Sequence, residues 1–336
     1  MKTRKKKSFL LLIAVVIAAG TGISCSTVDD GTVTLVVADN GRDSQLFHIA
    51  LARLVIENAF DGYRLVNSTA SALANVQSMV NGNVDFEVEA WTENNPRFHA
   101  DVAAGAIIPL GTLLEGSRQG LFVPRFVIQG DPWRGIAPMA PTLARIEDLL
   151  RYPHVFPDTD DPGRGRVVGA VSGWHANAIL HRKFLHNGLD AYFNLAQPGS
   201  ETAIFESLEA AYNMGQGWVG YIYEPSRISS RLDLVLLESA PFEPAGFVEG
   251  RTNFPEQPLM IVSSRYFPAR APGVADFLRR FATGNTLVSE ALAFLEETRA
   301  THEQAAIWFL LTHDSLIDAW LPSENAQRLR SFISQI

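Results

Sequence analysis

Val84-Asp85-Phe86-Glu87-Val88-Glu89-Ala90-Trp91-Thr92 alternates in character from one residue to the next. A strand turns successive side chains to opposite faces. Asp85, Glu87, Glu89 and Trp91 therefore share one face, and Phe86, Val88 and Ala90 the other. Three carboxylates ending in a tryptophan admit two readings. One is a solvated edge strand whose last aromatic packs beneath a loop. The other sets Trp91 at the mouth of a cleft with an acidic potential behind it, which suits a ligand carrying positive charge.

On the amino-terminal side, residues 32–38 form a β-branched, buried strand. Asp43 or Ser44 can cap a helix reaching about Ala59, with Leu46, Ile49, Ala50 and Arg53 at helical spacing. Residues 63–66 make a second strand, and residues 71–80 a helix that leads through Asn81-Gly82 into the Trp91 strand. Strand, helix, strand, helix, strand is the pattern of an open α/β sheet. Ligands of such sheets sit beyond the carboxyl ends of the strands, and Trp91 lies at one.

On the carboxyl side, residues 119–128 read as a strand interrupted by Pro124, followed by a Gly- and Pro-rich stretch. The first passage between lobes is expected here, near residues 119–131, and a return near 245–260. Strands at 166–171, 189–195, 217–223 and 232–237, with helices at 174–187 and 201–213, compose a second α/β unit. A strand at 259–263 crosses back. Helices at 272–281, 286–299, 302–312 and 323–336 follow, with Gly284 and Pro322 as breaks. The aspartates of the 158–166 loop lack the glutamate of a calcium loop.

The chain has 336 residues, 47% of them hydrophobic, enough for two domains. Lys2, Arg4, Lys5, Lys6 and Lys7 precede a short apolar run, the form of a signal peptide over residues 1–24. That run is short of the roughly 20 residues a spanning helix needs. Cys25 is the only cysteine, which excludes a disulfide within the chain and a thiolate metal site. Its setting resembles the lipobox of bacterial lipoproteins, with Gly22 where leucine is usual. Lipidation of Cys25 would leave residues 25–31 as a tether. Removing residues 1–24 takes away five cations and takes the net charge from −8 to −13. So acidic a surface argues against nucleic acid as a partner.

No Gly-x-Ser-x-Gly elbow, His-Glu-x-x-His or Gly-x-x-x-x-Gly-Lys loop occurs, and nothing argues for catalysis. His175, His181 and His186 are spaced off one helical face, so no metal site is expected. The aromatics carry more. Trp91 and Tyr223 stand at strand ends and Trp174 at a helix start, with Tyr221 on the strand face of Tyr223. One aromatic at a junction is ordinary packing; three at equivalent places in two units suggest a box. A quaternary ammonium has no N–H to donate and spreads its charge over methyl groups. An aromatic face offers it apolar contact and a negative quadrupole, about 0.5–2 kcal/mol per face.

At these residues the chain resembles the substrate-binding proteins of glycine betaine/proline-type ABC importers. The likeness rests on five motifs in order: residues 85–92 with Trp91, Gly120-Leu121-Phe122-Val123-Pro124, Gly173-Trp174, Tyr221-Ile222-Tyr223-Glu224-Pro225, and a carboxyl-terminal helical signature from Glu303 to Leu321. The resemblance implies an α/β, two-lobe periplasmic-binding-protein fold of type II that closes on its ligand. Lobe I would comprise residues 32–125 and 251–336, and lobe II residues 126–250. Trp91 from one lobe and Trp174 and Tyr223 from the other would enclose a quaternary ammonium. An ABC permease and its ATPase would be the partners, and an extracytoplasmic face of a membrane the location, with no cofactor.

The chain departs from the family pattern in places. Tyr223 stands where many members have tryptophan, Asn95 where some hold the ligand carboxylate with histidine, His175-Ala176 where Gly-Cys is common, and Arg227 where an aromatic or histidine is usual. The helix start at His175 can still offer backbone N–H groups to a carboxylate. A choline- or carnitine-type cation is the alternative ligand, with Glu87 or Glu89 as countercharge. A stand-alone sensor on the same fold is a further alternative.

Overall fold

The structure, a computed structural model, describes residues 31–336. Signal-peptide cleavage and lipidation at Cys25 fall outside the described residues. Among the described residues nine strands form one sheet, eight of them on a single pairing path: β1 (Val33–Asp39), β2 (Tyr63–Thr69), β3 (Phe86–Ala90), β4 (Ile107–Pro124), β5 (Gly165–Val168), β6 (Phe193–Ala196), β7 (Gly220–Glu224), β8 (Leu234–Leu236) and β9 (Gln257–Ser264). Their order is β2-β1-β3-β9-β4-β7-β5-β6, with β8 also beside β4. Parallel pairs β1/β2 and β1/β3 lie at one end and β5/β6 and β5/β7 at the other, each built by helical crossovers.

The alternating stretch around Trp91 is no solvated edge. β3 lies between β1 and β9, with Phe86 opposite both Val37 and Ser263, and all five of its residues are buried. Phe86 packs against Phe267 on one side. The carboxylates on the other face have partners, Arg270 for Asp85 and a shared Arg42 for Glu87 and Glu89. Asp85 accepts from Arg270 Nη1 at 2.8 Å and from the Val36 amide at 2.7 Å. The acidic face expected from the sequence is thus compensated from within.

β4 joins the two halves. Its residues Ile107 to Ser117 pair with β9, and Arg118 to Phe122 pair with β7. The sequence suggests a passage beginning near residue 119. The strand in fact starts twelve residues earlier, and its partner changes at Ser117–Arg118.

Local signals place most helices. Ser71 accepts from the Ala74 amide, Ser200 from Ala203, and Thr301 forms a capping box with Gln304. The helix Asp43–Ala59 differs: neither Asp43 nor Ser44 caps it. The Asp43 amide instead donates to Glu201 Oε2 at 2.8 Å, 158 residues away in sequence. A distant carboxylate thus satisfies one of the orphan amides of that helix start. The carboxyl-terminal helices close over its outer face. Phe309 meets Phe47 edge-on at 5.4 Å, and Trp320 meets Phe281 at 4.8 Å. The expected single helix after Pro322 is preceded by a short one, Ser315–Trp320, which buries Trp320.

Candidate ligand-binding site

Loops at the carboxyl ends of β1, β3 and β7 and the start of the helix His175–His186 converge on one cavity. It is narrow in this conformation, with about 40 Å³ open to a water-sized sphere. Trp91, Trp174, Tyr221 and Tyr223 line it, with Asn95 and His175 at its border. Six of the seven candidate ligand-binding residues thus line one cavity. Glu89 is the exception. It is fully buried and turned away, its carboxylate shared among Arg42, Ser44 and His48, while Glu87 reaches the cavity.

The aromatic geometry is that of adjoining walls. Trp91 stands at 79° to Tyr223 with centroids 5.8 Å apart, and Trp174 at 78° with centroids 5.9 Å apart. Both indoles are thus nearly perpendicular to the phenol ring. Tyr221 extends the surface, 6.2 Å from Trp174. The polar tips of Trp174, Tyr221 and Tyr223 are tied down, so those three rings are held in place rather than free to turn. Trp174 Nε1 donates to the Asn40 carbonyl at 2.9 Å, Tyr221 Oη donates to Gln119 Oε1 at 2.7 Å, and Tyr223 Oη donates to Glu201.

Arg42 is the residue that sequence reasoning does not single out. Gly41, at φ +73°, turns the chain directly after β1, a conformation that costs glycine least. The turn sends Arg42 inward, where it is buried. Its Nε lies 3.3 Å from Glu89 Oε1, its Nη2 donates to the Glu89 carbonyl at 3.0 Å, and its guanidinium carbon stands 5.6 Å from the Trp174 ring centre. The available signal was topological. Asn40, Gly41 and Arg42 occupy the carboxyl end of β1, the kind of place that drew attention to Trp91.

The charges of this cluster depend on each other. Burial disfavours the Arg42 cation, but Glu89 and Glu87 outweigh it and move its pKa up. Burial pushes the Glu87 carboxyl to about 7, against Arg42 and with help from the Glu89 charge. Glu89 stays below the ordinary range because the His48 hydrogen bond and Arg42 overcome its burial. Burial and the Asp43 charge lift Glu201 to about 8, and burial and Arg42 lower His175 to about 4. At neutral pH Arg42 and Glu89 cancel, Glu201 and His175 are mostly uncharged, and Glu87 is the variable charge.

The family described as the substrate binding domain of ABC-type glycine betaine transport systems, OpuAC, matches residues 33–311. This chain belongs to that family. It is an OpuAC-type substrate-binding protein of an ABC transport system, and its family is one of receptors. No curated protein matches the sequence significantly. Among solved structures it is similar to the glycine/betaine/L-proline-binding protein ProX of Borrelia burgdorferi, with 15% identity over 88% of this chain and 100% of that one and a TM-score of 0.70. It is also similar to an ABC-transporter choline-binding protein in complex with choline, with 16% identity over 89% and 98% and a TM-score of 0.71. Lactococcal OpuAC, closed on glycine betaine, matches with 16% identity over 86% and 99% and a TM-score of 0.67. These likenesses establish the two-lobe periplasmic-binding-protein fold. No helix among the described residues is long and apolar enough to cross a membrane.

Proposed function

We propose that this OpuAC-type protein binds a quaternary ammonium zwitterion of the glycine betaine class and presents it to an ABC permease, without chemical turnover. The observation that carries the reading is the arrangement of Trp91, Trp174 and Tyr223, three walls of one cavity with both indoles near-perpendicular to the phenol. Such walls suit a trimethylammonium head, which gains about 0.5–2 kcal/mol per aromatic face. The helix start at His175 lies on the same cavity and is the place for the ligand carboxylate.

The charge balance favours a zwitterion over a pure cation. Arg42 neutralises the acidic face, so the site carries little net negative charge for a cation to meet. A choline-like cation is the second reading, favoured by Glu87, which lines the cavity and gains its charge near neutrality. The rest of the proposal follows the sequence: an extracytoplasmic protein tethered through lipidated Cys25, with lobe I from residues 32–125 and 251–336 and lobe II from residues 126–250.

Calorimetry with glycine betaine and choline tests the reading on wild type, Trp91→Ala and Trp174→Ala. Each replacement should weaken the better ligand about ten- to hundredfold, or about 1–3 kcal/mol. Normal affinity in both variants, with folded protein, would overturn the aromatic box. Ligand recovered chemically changed after incubation would overturn the receptor assignment.

A further inference from the structure

Glu201 opens the helix Glu201–Asn213, yet its carboxyl serves a distant part of the chain. It is buried, and its polar partners among the described residues are an amide and a hydroxyl, with no cation in ion-pair contact. Oε2 accepts from the Asp43 amide at 2.8 Å, and Oε1 is bonded to Tyr223 Oη. Asp43 follows Arg42 in the turn after β1, whereas Tyr223 lies on β7 beside β4. The bridge therefore spans the proposed division, with Asp43 in lobe I and Glu201 and Tyr223 in lobe II. It ties one wall of the box to the opposite half of the molecule.

The groups facing Glu201 disfavour an anion there. Asp43 presents a second carboxylate, itself engaged by Arg227 at 3.2 Å and His302 at 3.6 Å. Arg42 also acts on it, but that guanidinium is committed to Glu87 and Glu89. Behind the phenol, Ser44 Oγ lies 3.5 Å from Tyr223 Oη and donates to Glu89. A buried carboxyl without a cation keeps its proton, and burial with the Asp43 charge carries this one to about 8. Neutral, it keeps both contacts: one oxygen accepts from the Asp43 amide, and the hydroxyl shares its proton with Tyr223 Oη.

We propose that Glu201 is a positioning residue that couples ligand capture to the uptake of a proton. With the halves apart, its carboxyl loses the Asp43 amide and meets water, where it ionises at neutral pH. Closure over a ligand buries it against Asp43 again. The carboxyl then draws a proton from solvent, and Tyr223 is seated between the two indoles. The inference rests on the box reading and deepens it. Glu87 works in the opposite sense, because a cationic head in the cavity it lines favours its ionised form. His175 stays neutral in the same pH range.

Calorimetry with glycine betaine and choline at pH 7, in buffers of different ionisation heat, counts the protons exchanged on binding. Wild type should take up about half a proton or more per ligand beyond Glu201→Gln, in which Glu87 acts unchanged. Wild-type affinity should fall about tenfold or more from pH 6 to pH 8, and that of the Gln variant should stay within about threefold. Asp43→Asn serves as a second variant should the first not fold. It removes the facing charge, so uptake should cease at a lower pH than in wild type. Equal proton exchange in wild type and Glu201→Gln overturns this inference and leaves the box intact, as does an unmoved uptake profile in Asp43→Asn. If neither glycine betaine nor choline binds, the box reading fails and this inference fails with it.

Discussion

The guanidinium carbon of Arg42 stands 5.6 Å from the ring centre of Trp174. A protein cation thus already faces one wall of the box, while Glu89 and Glu87 balance its charge from behind. Recognition here depends on what remains after that cancellation.

Arg42→Met should therefore shift preference from zwitterion to cation. The ratio of choline to glycine betaine affinity should rise about tenfold or more as the site turns acidic. Folding stability should fall by about 3–5 kcal/mol, because Glu89 keeps its burial and loses Arg42, one of its three partners. Arg42→Lys keeps the charge and should leave the ratio close to wild type. Competition calorimetry on both variants decides it; an unchanged ratio in a folded Met variant would show that Arg42 does not set selectivity.

Tyr223→Phe should cost stability more than affinity. The hydroxyl is committed to Glu201 and lies 3.5 Å from Ser44 Oγ, so its loss leaves a buried carboxyl short of a partner. That costs about 1–3 kcal/mol. The ring remains, and affinity should stay within about threefold. A loss beyond tenfold would mean that the hydroxyl touches the ligand.

Stability should decline as pH rises from 6.5 to 8. In the folded state Glu201 ionises near 8 and Glu87 near 7, against an ordinary 4.5, so the folded protein holds protons that the unfolded chain has released. Where the folded state binds more protons, raising the pH favours unfolding. His175 works in the opposite sense, but only below its ordinary 6.5, where the unfolded chain takes up a proton that the folded protein refuses until about 4. Lys183, which burial lowers to about 8, opposes the carboxyls at the top of this window, so the decline is steepest near pH 7 and levels off toward 8. Glu201→Gln should flatten the melting-temperature curve between pH 6.5 and 8, and a curve of wild-type slope in that variant would contradict the assignment.

Processing at Cys25 has its own readout. Mass spectrometry of membrane-extracted protein should show an amino terminus at residue 25 carrying acyl chains. An intact Met1 or an unmodified thiol would exclude the anchor.

The site was legible where its signal was local. Alternation around Trp91, the Gly173-Trp174 helix start and the Tyr221–Tyr223 strand face each stand in a few consecutive residues, and the fold brings them to one cavity. Arg42 was not legible that way, because a single arginine in a strand-to-helix turn has no pattern of its own. The cap of the helix Asp43–Ala59 was hidden for a related reason: the satisfying group, Glu201, lies across the sequence. The early part of β4 escaped notice because bulges between Pro109 and Gly111, Thr112 and Leu114, and Leu114 and Ser117 break its period of two.

That same strand has a mechanical consequence. β4 is one unbroken length of backbone, clamped by β9 over its first stretch and by β7 and β8 over its last. A rotation of one half of the molecule against the other would be shared between the peptide units at Ser117–Arg118 and the return segment that leads into β9. Ser117 is fully buried there and its hydroxyl is unpartnered, while the Arg118 side chain is fastened to Glu224 of β7 at 2.9 Å, so the β7 side of the junction is the stiffer one. A continuous strand paired on both sides of the junction would resist such a turn more than an unpaired loop would.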